Sequence, residues 1–212
     1  MVQPAFTVSQ ALDFRRAVPT FDPLVEISHE ELLRLLNTAN LAPSSMNIQP
    51  WEYVVVTTAE DKARLRKVAM NQAKIESASA AVLVLGNLKQ YEHAARIADG
   101  NIQRGYMPAE GKQGFIDRVH GAWADNAPLA RDEAFRGSSL WSMAFMLAAA
   151  EAGWDTAPMS GFWPDQVVAE FGIPDSFIPI MIICIGRRDA EKTILERGER
   201  IPAEELIHVG NF

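Results

Sequence analysis

A single cysteine, Cys184, is the whole thiol content of this 212-residue chain. That excludes an intrachain disulfide and any thiolate metal cage. Cys184 lies in Ile180-Met181-Ile182-Ile183-Cys184-Ile185, an apolar run that reads as a buried strand with cysteine as a small hydrophobe. Histidine is scarce too, and His29, His93, His120 and His208 have no metal-ligand spacing. Positive charge is short: 20 Lys and Arg stand against 27 Asp and Glu, a net charge of -7. A surface of that sign disfavours nonspecific nucleic-acid binding. No apolar run approaches the ~20 residues of a membrane helix. Gln3, Pro4, Ser9, Gln10 and Asp13 leave no room for a signal-peptide core at the start. A Ser-centred nucleophile elbow and a phosphate-binding glycine loop are also missing. These absences predict a soluble, cytoplasmic protein with no nucleic acid and no membrane among its partners, and no side-chain nucleophile.

What is present is a substantial core. Hydrophobic residues make up 48% of the chain, too many for a disordered one, and the length fits one domain over residues 1–212. Ser28 opens an amphipathic helix; its hydroxyl can cap while Glu31 reaches back to its amide. Leu32, Leu33, Leu35, Leu36 and Ala39 then supply one apolar face. Residues 51–57 read as a strand. Thr58 begins a second helix, with Asp61 in the capping-box position and Leu65 and Val68 facing inward, and residues 80–85 form another buried strand.

Residues 86–126 are less regular, with scattered glycines and Tyr91, Tyr106, Phe115 and Trp123; short helices and loops forming a variable cover are expected. Residues 131–152 form the longest helix, stopped by Gly153. Its middle, Leu140 to Leu147, is apolar nearly all round, and such a helix must be buried on all sides, which in a chain of this size suggests a subunit interface. A short helix over residues 164–171 has Pro164 in its first turn and Gly172 at its end. The final segment, 191–212, mixes charges with Ile194, Leu195, Ile201, Leu206, Ile207 and Val209, and reads as a wrapping arm. With three or four strands among the helices, the expected class is α+β: a small central sheet flanked by helices.

Three stretches carry the chemistry. Ala42-Pro43-Ser44-Ser45-Met46-Asn47-Ile48-Gln49-Pro50-Trp51 joins a helix to a strand with short polar side chains held between prolines. Such a loop presents fixed hydrogen-bonding groups to a flat polar heterocycle. Asp13-Phe14-Arg15-Arg16-Ala17-Val18-Pro19 holds an adjacent arginine pair before an extended turn. Gly153-Trp154-Asp155-Thr156-Ala157-Pro158-Met159-Ser160-Gly161-Phe162 follows the long helix. In these three places, in this order, the chain resembles the FMN-dependent nitroreductase family, from about Phe14 to the terminal Pro202-Ala203-Glu204-Glu205-Leu206-Ile207-His208.

The resemblance implies a mainly antiparallel sheet in an intertwined homodimer whose C-terminal arm crosses to the partner and adds a strand to its sheet. It implies that Arg15 and Arg16 hold the FMN phosphate and ribityl chain through charge-assisted bonds. Ala17 stands where relatives often have Ser, and Pro19 where they often have a basic residue. Pro43, Ser44, Ser45 and Asn47 match the loop that contacts FMN from the opposite subunit, although a self-bonded turn remains the plain alternative. Gln49 is expected to support that loop and Trp51 to be core. Asn71, Gln72 and Lys74 fall where the family places side chains against the pyrimidine edge, with Asn71 foremost and a polar helix end the alternative. Pro158, Met159, Ser160 and Gly161 match the segment along the flavin's inner face, where a backbone amide at Ser160 or Gly161 meets flavin N5. Arg197 and Arg200 match the tail's basic residues, Arg200 aligning better, while Arg187 and Arg188 look equally basic.

The function implied is an NAD(P)H-dependent FMN oxidoreductase. A small-molecule electron acceptor such as a nitroaromatic, a quinone or an activated alkene would be reduced in ping-pong fashion, with the hydride carried at flavin N5 and no catalytic side chain. Two other classes stay open on the sequence alone: a flavin-binding sensor or store without turnover, and a purely structural dimerisation protein. Flavin-fragmenting and dehalogenating branches of the same family also stay open.

Overall fold

The computed structural model describes residues 6–193 and 196–212; Ile194 and Leu195, read above as part of the arm, lie outside the described residues, as do Gln3 and Pro4. The first element, α1 (Val8–Phe14), is held by a capping box in which Thr7 and Gln10 each bond the other's backbone amide. A Thr three residues ahead of a Gln is a legible start signal. The chain then forms α2 (His29–Ala39), β1 (Trp51–Val56), α3 (Ala59–Val68), the short α4 (Lys74–Ser77) and β2 (Ala80–Asn87). Next come α5 (Ala94–Gln103), α6 (Lys112–Trp123), α7 (Ala127–Glu151), β3 (Asp155–Met159), α8 (Pro164–Phe171), β4 (Phe177–Gly186) and α9 (Ala203–Leu206).

Among the described residues four strands make one sheet in the order β1-β2-β4-β3, with every neighbouring pair antiparallel. The expected α+β class with a small antiparallel sheet is therefore the observed one. β2 is buried along its whole length, which explains its unbroken apolar run. Alternation divides its side chains between two layers. Ala81, Leu83 and Leu85, with Ile182 and Cys184 of β4, pack under α3 and α8. Ala80, Val82 and Val84, with Ile183 and Ile185, pack under α2 and α7 around Trp141 and Phe145. Burial pushes the Cys184 thiol up to about 12, so it stays protonated and acts as the small hydrophobe expected.

Several local details differ from the sequence reading. Ser28 Oγ does accept from the Glu31 amide at 3.1 Å, but the Glu31 carboxylate turns to Arg34 and Trp154 instead of closing a capping box. Leu33 is 46% exposed, because it lies 100° round the helix from Leu32 and off the buried face. α7 begins four residues earlier than read, with the Asn126 side chain accepting from the Leu129 amide and Pro128 in the first turn. The cover contains two regular helices, α5 and α6, closing over a satellite cluster of Ile48, Ala94, Ile97, Val119, Trp123 and Ala130.

Two contacts fix the approach to β1. Asn40 Oδ1 accepts from both Trp51 Nε1 at 3.1 Å and Trp141 Nε1 at 2.8 Å. Gly137 of α7 faces Pro50 so closely that a Cβ there would lie 2.3 Å from the proline ring. Among the described residues no helix is long and apolar enough to cross a membrane, and no His, Cys, Asp or Glu cluster could hold a metal.

Candidate functional site

The arginine pair sits where α1 ends. Arg15 is the C-cap residue and is half-buried, and its Nε is buried with no hydrogen-bond partner. Arg16 donates to the backbone carbonyls of Asp13 and Arg15. Ala17 then forms a parallel bridge with Thr156 of β3, which sets the pair beside the strand that runs into Pro158, Met159, Ser160 and Gly161. Two stretches 139 residues apart are thus joined by one backbone contact.

The tail adds a third basic group. Arg197 Nη2 donates to the carbonyls of Leu12 at 2.7 Å and Arg15 at 3.1 Å. Arg200 is exposed and, among the described residues, bonds only the nearby carbonyls of Gly198 and Glu199. Burial, and then the charges of Arg197, Arg200 and Arg16, lower the pKa of Arg15. Four guanidiniums therefore converge, and among the described residues the one carboxylate paired with any of them is the exposed Asp13, 3.9 Å from Arg16. Such a cluster is built for a polyanion. Arg187 and Arg188, equally basic in sequence, are otherwise engaged. Arg187 donates to the Gly153 carbonyl and lies 4.5 Å over the Trp154 ring. Arg188 is neutralised by the buried Asp155 carboxylate.

A fourth stretch joins through side chains. Met70 and Asn71 both have positive φ, 51° and 56°, in the turn that closes α3, and for a methionine that is strained backbone. The turn brings Gln72 Nε2 to within 2.8 Å of the Gly161 carbonyl. A Cβ on Gly161 would meet the same nitrogen at 3.1 Å, so any larger residue there would push the Gln72 amide back by a few tenths of an ångström. Asn71 is exposed, and its Oδ1 accepts from Arg66 Nε at 2.8 Å, which leaves its amide nitrogen outward. Arg66, itself paired with Glu76, escaped the sequence reading because helical periodicity gives no hint of a partner beyond the helix end. Lys74 merely opens α4. Among the described residues neither the Ser160 nor the Gly161 amide finds an acceptor in the chain.

The polar loop lies elsewhere. Pro43 is exposed at its start. Ser44 Oγ accepts from the Gln49 amide at 2.9 Å. The Gln49 side chain donates to the Asn47 carbonyl at 2.9 Å, so Gln49 supports the loop as expected. Ser45 donates its amide to Glu133 of α7 at 3.4 Å, a contact the sequence did not suggest. Met46, Asn47 and Gln49 all take positive φ, which holds Ser45 and Asn47 out toward solvent. Trp51 is 6% exposed and belongs to the core.

Sheet register gives the distance from the polar loop to the arginine pair. The loop enters β1 at Trp51, which pairs through Gly86 with Ile178; Ala17 bridges Thr156, which pairs with Ile185. The two points are on opposite edges of the sheet, roughly 14 Å apart across it and roughly 24 Å along it. The structure brings Arg15, Arg16, Ala17, Asn71, Pro158, Met159, Ser160, Gly161 and Arg197 to one side of one chain. It leaves Ser44, Ser45 and Asn47 at the far corner.

Comparison with known proteins places the chain in a family. The model of the Nitroreductase family matches residues 12–187. Bacillus subtilis YodC, described as a candidate NAD(P)H nitroreductase, is 38% identical over 176 residues, covering 83% of this chain and 87% of its own. The crystal structure of the Bacillus subtilis nitroreductase candidate ydfN superposes with a TM-score of 0.89 at 34% identity, covering 94% of this chain and 97% of that one. A nitroreductase candidate from Exiguobacterium sibiricum, solved in complex with FMN, superposes with a TM-score of 0.86 at 32% identity over 98% of this chain and 99% of that one. The chain belongs to the nitroreductase family.

Proposed function

We propose that the protein is an FMN-dependent oxidoreductase that draws electrons from NAD(P)H and reduces a nitroaromatic, quinone or similar small acceptor. The observation that carries this reading is the buried, unpartnered Arg15 Nε inside a cluster of four arginines. A phosphate monoester fits that cluster, because it supplies the missing acceptor oxygens and the missing negative charge. Arg15, Arg16 and Arg197 would hold the phosphate, with Arg200 adding charge. Asn71 would donate its outward amide to the pyrimidine edge, and the free backbone amides at Ser160 and Gly161 would face the flavin ring. When bound, FMN supplies the hydride chemistry, taking reducing equivalents from NAD(P)H and passing them to the acceptor in a ping-pong cycle. The chain's own work is placement, and no side-chain nucleophile is needed.

Ser44, Ser45 and Asn47 would complete the site from a second copy. Support comes from their place at the far corner of the sheet and from apolar surface left uncovered on a single chain. Leu140 of α7 is 44% exposed, and the tail residues Ile201, Leu206, Ile207 and Val209 are 61% exposed or more. β1 is an edge strand, open to strand addition by a partner's arm. The deciding experiment is the visible spectrum of the purified protein, identification of the flavin released on denaturation, and anaerobic NAD(P)H titration. A yellow protein that releases FMN and bleaches on titration supports the reading. A colourless protein that gains no absorbance with added FMN overturns it, and one that bleaches once without steady NAD(P)H oxidation is a flavin store.

A further inference from the structure

One face of α7 braces the polar loop between α2 and β1. Residues four apart share a helix face, and here these are Glu133, Gly137 and Trp141. Trp141 donates its indole N–H to Asn40, just before the loop, at 2.8 Å. Gly137 admits the Pro50 ring at the loop's end. Glu133 reaches Ser45, 88 residues away in the chain, and its Oε1 accepts from the Ser45 amide at 3.4 Å. Its other carboxylate oxygen accepts from Arg136. A carboxylate is the costly member of this row, because a buried charge must be paired and hydrogen-bonded. Glu133 is buried all the same, at 3% exposure, where a neutral side chain would fill the space more cheaply. What the carboxylate adds is a fixed acceptor for one peptide N–H of the loop.

We infer that Glu133 is a positioning residue for flavin binding, which locks the Ser44–Ser45 peptide and so sets the direction of the Ser45 and Asn47 side chains. The inference rests on the proposed function, which gives those two side chains to the flavin of a second copy. The Ser44–Ser45 peptide is held on both edges. Its N–H meets Glu133, and its carbonyl accepts from the Asn47 amide at 3.0 Å. A planar peptide tied on both edges cannot turn about its neighbouring bonds. The residues that follow need such an anchor, since Met46, Asn47 and Gln49 have φ of 48°, 57° and 47°. Side-chain-bearing residues stay in that region only where their surroundings over-determine it. Ser45 and Asn47 themselves are exposed, so Glu133 acts on the flavin site through the backbone of the loop.

Two measurements on Glu133→Ala and Glu133→Gln test this. The first is amide hydrogen exchange in the flavin-free protein, comparing the loop (residues 44–49) with the buried strand β2. The second is FMN affinity by fluorescence titration. Loss of a hydrogen bond to a charged group corresponds to about tenfold, so Glu133→Ala should exchange about tenfold faster in the loop, with β2 unchanged, and bind FMN about tenfold more weakly. Glu133→Gln keeps an oxygen acceptor of the same reach and should restore both to within about threefold of wild type. Unchanged loop exchange in Glu133→Ala, or faster exchange spread equally over β2, overturns the inference. So does faster loop exchange with unaltered FMN affinity, or failure of Glu133→Gln to rescue. If Glu133→Ala misfolds, Glu133→Asp keeps the charge, withdraws the acceptor by one methylene, and should give the same loss. A wild-type protein that takes up no FMN counts against the proposed function, and the exchange rates then decide by themselves whether Glu133 sets the loop.

Discussion

Gln72 Nε2 donates to the Gly161 carbonyl across 2.8 Å, tying the turn after α3 to the segment after β3. The bond orients the Gly161 peptide so that its carbonyl faces Gln72, and it fixes two parts of the candidate flavin site to each other. Gln72→Ala should therefore weaken FMN binding by about 0.5–1.5 kcal/mol, the net value of one hydrogen bond, without changing the fold. Fluorescence titration with FMN measures it; unaltered affinity would show that the contact only trims a loop.

Arg15→Ala should cost roughly 1.5–3 kcal/mol of FMN affinity, the range for a hydrogen bond to a charged group. The flavin-free protein should respond in the opposite sense. Arg15 is crowded by Arg197, Arg200 and Arg16, so its removal relieves like-charge repulsion and the apo-protein should melt no lower than wild type. A lowered apo melting temperature together with unchanged flavin affinity would recast Arg15 as a structural residue.

If Ser45 and Asn47 act on the partner's arginine cluster, lesions in the two motifs should complement. Asn47→Ala and Arg15→Ala homodimers should each bind FMN poorly. In a mixed dimer one site collects both lesions and the other none, so about half the normal flavin should bind, given an isologous two-fold interface. Differently tagged, co-expressed chains supply the mixed species for flavin counting. A folded mixed dimer with no recovery would place both motifs in one site of one chain.

Asn40 serves two buried indole N–H groups, those of Trp51 and Trp141. Asn40→Ala leaves both without an acceptor and should destabilise the fold on the order of 2–3 kcal/mol, since each stranded buried donor costs roughly 1–3 kcal/mol. Urea unfolding of wild type and variant gives the difference. A change below about 0.5 kcal/mol, the scale of an ordinary surface substitution, would mean that water replaces the amide.

The sequence by itself determined the element types and singled out the stretches that make up the candidate site. Capping residues such as Ser28 and Thr58, the apolar runs of β2 and β4, and Gly153 after α7 are local signals, readable because they act within a turn or a pleat. The arginine pair and the polar loop stood out for the same reason, since their chemistry lies in adjacent residues. Only the tertiary structure decided which cations are neutralised by a buried carboxylate and which gather around Arg15. Arg187, Arg188, Arg197 and Arg200 look alike in sequence, but the buried Asp155 neutralises Arg188 and the α7 terminus engages Arg187, while Arg197 reaches Arg15 from 182 residues away. Ala17 meets Thr156, Gln72 meets Gly161 and His93 meets Ile48 only through folding. Such contacts join residues far apart in the chain, and no periodicity or propensity encodes them, because their geometry depends on how the sheet and helices stack.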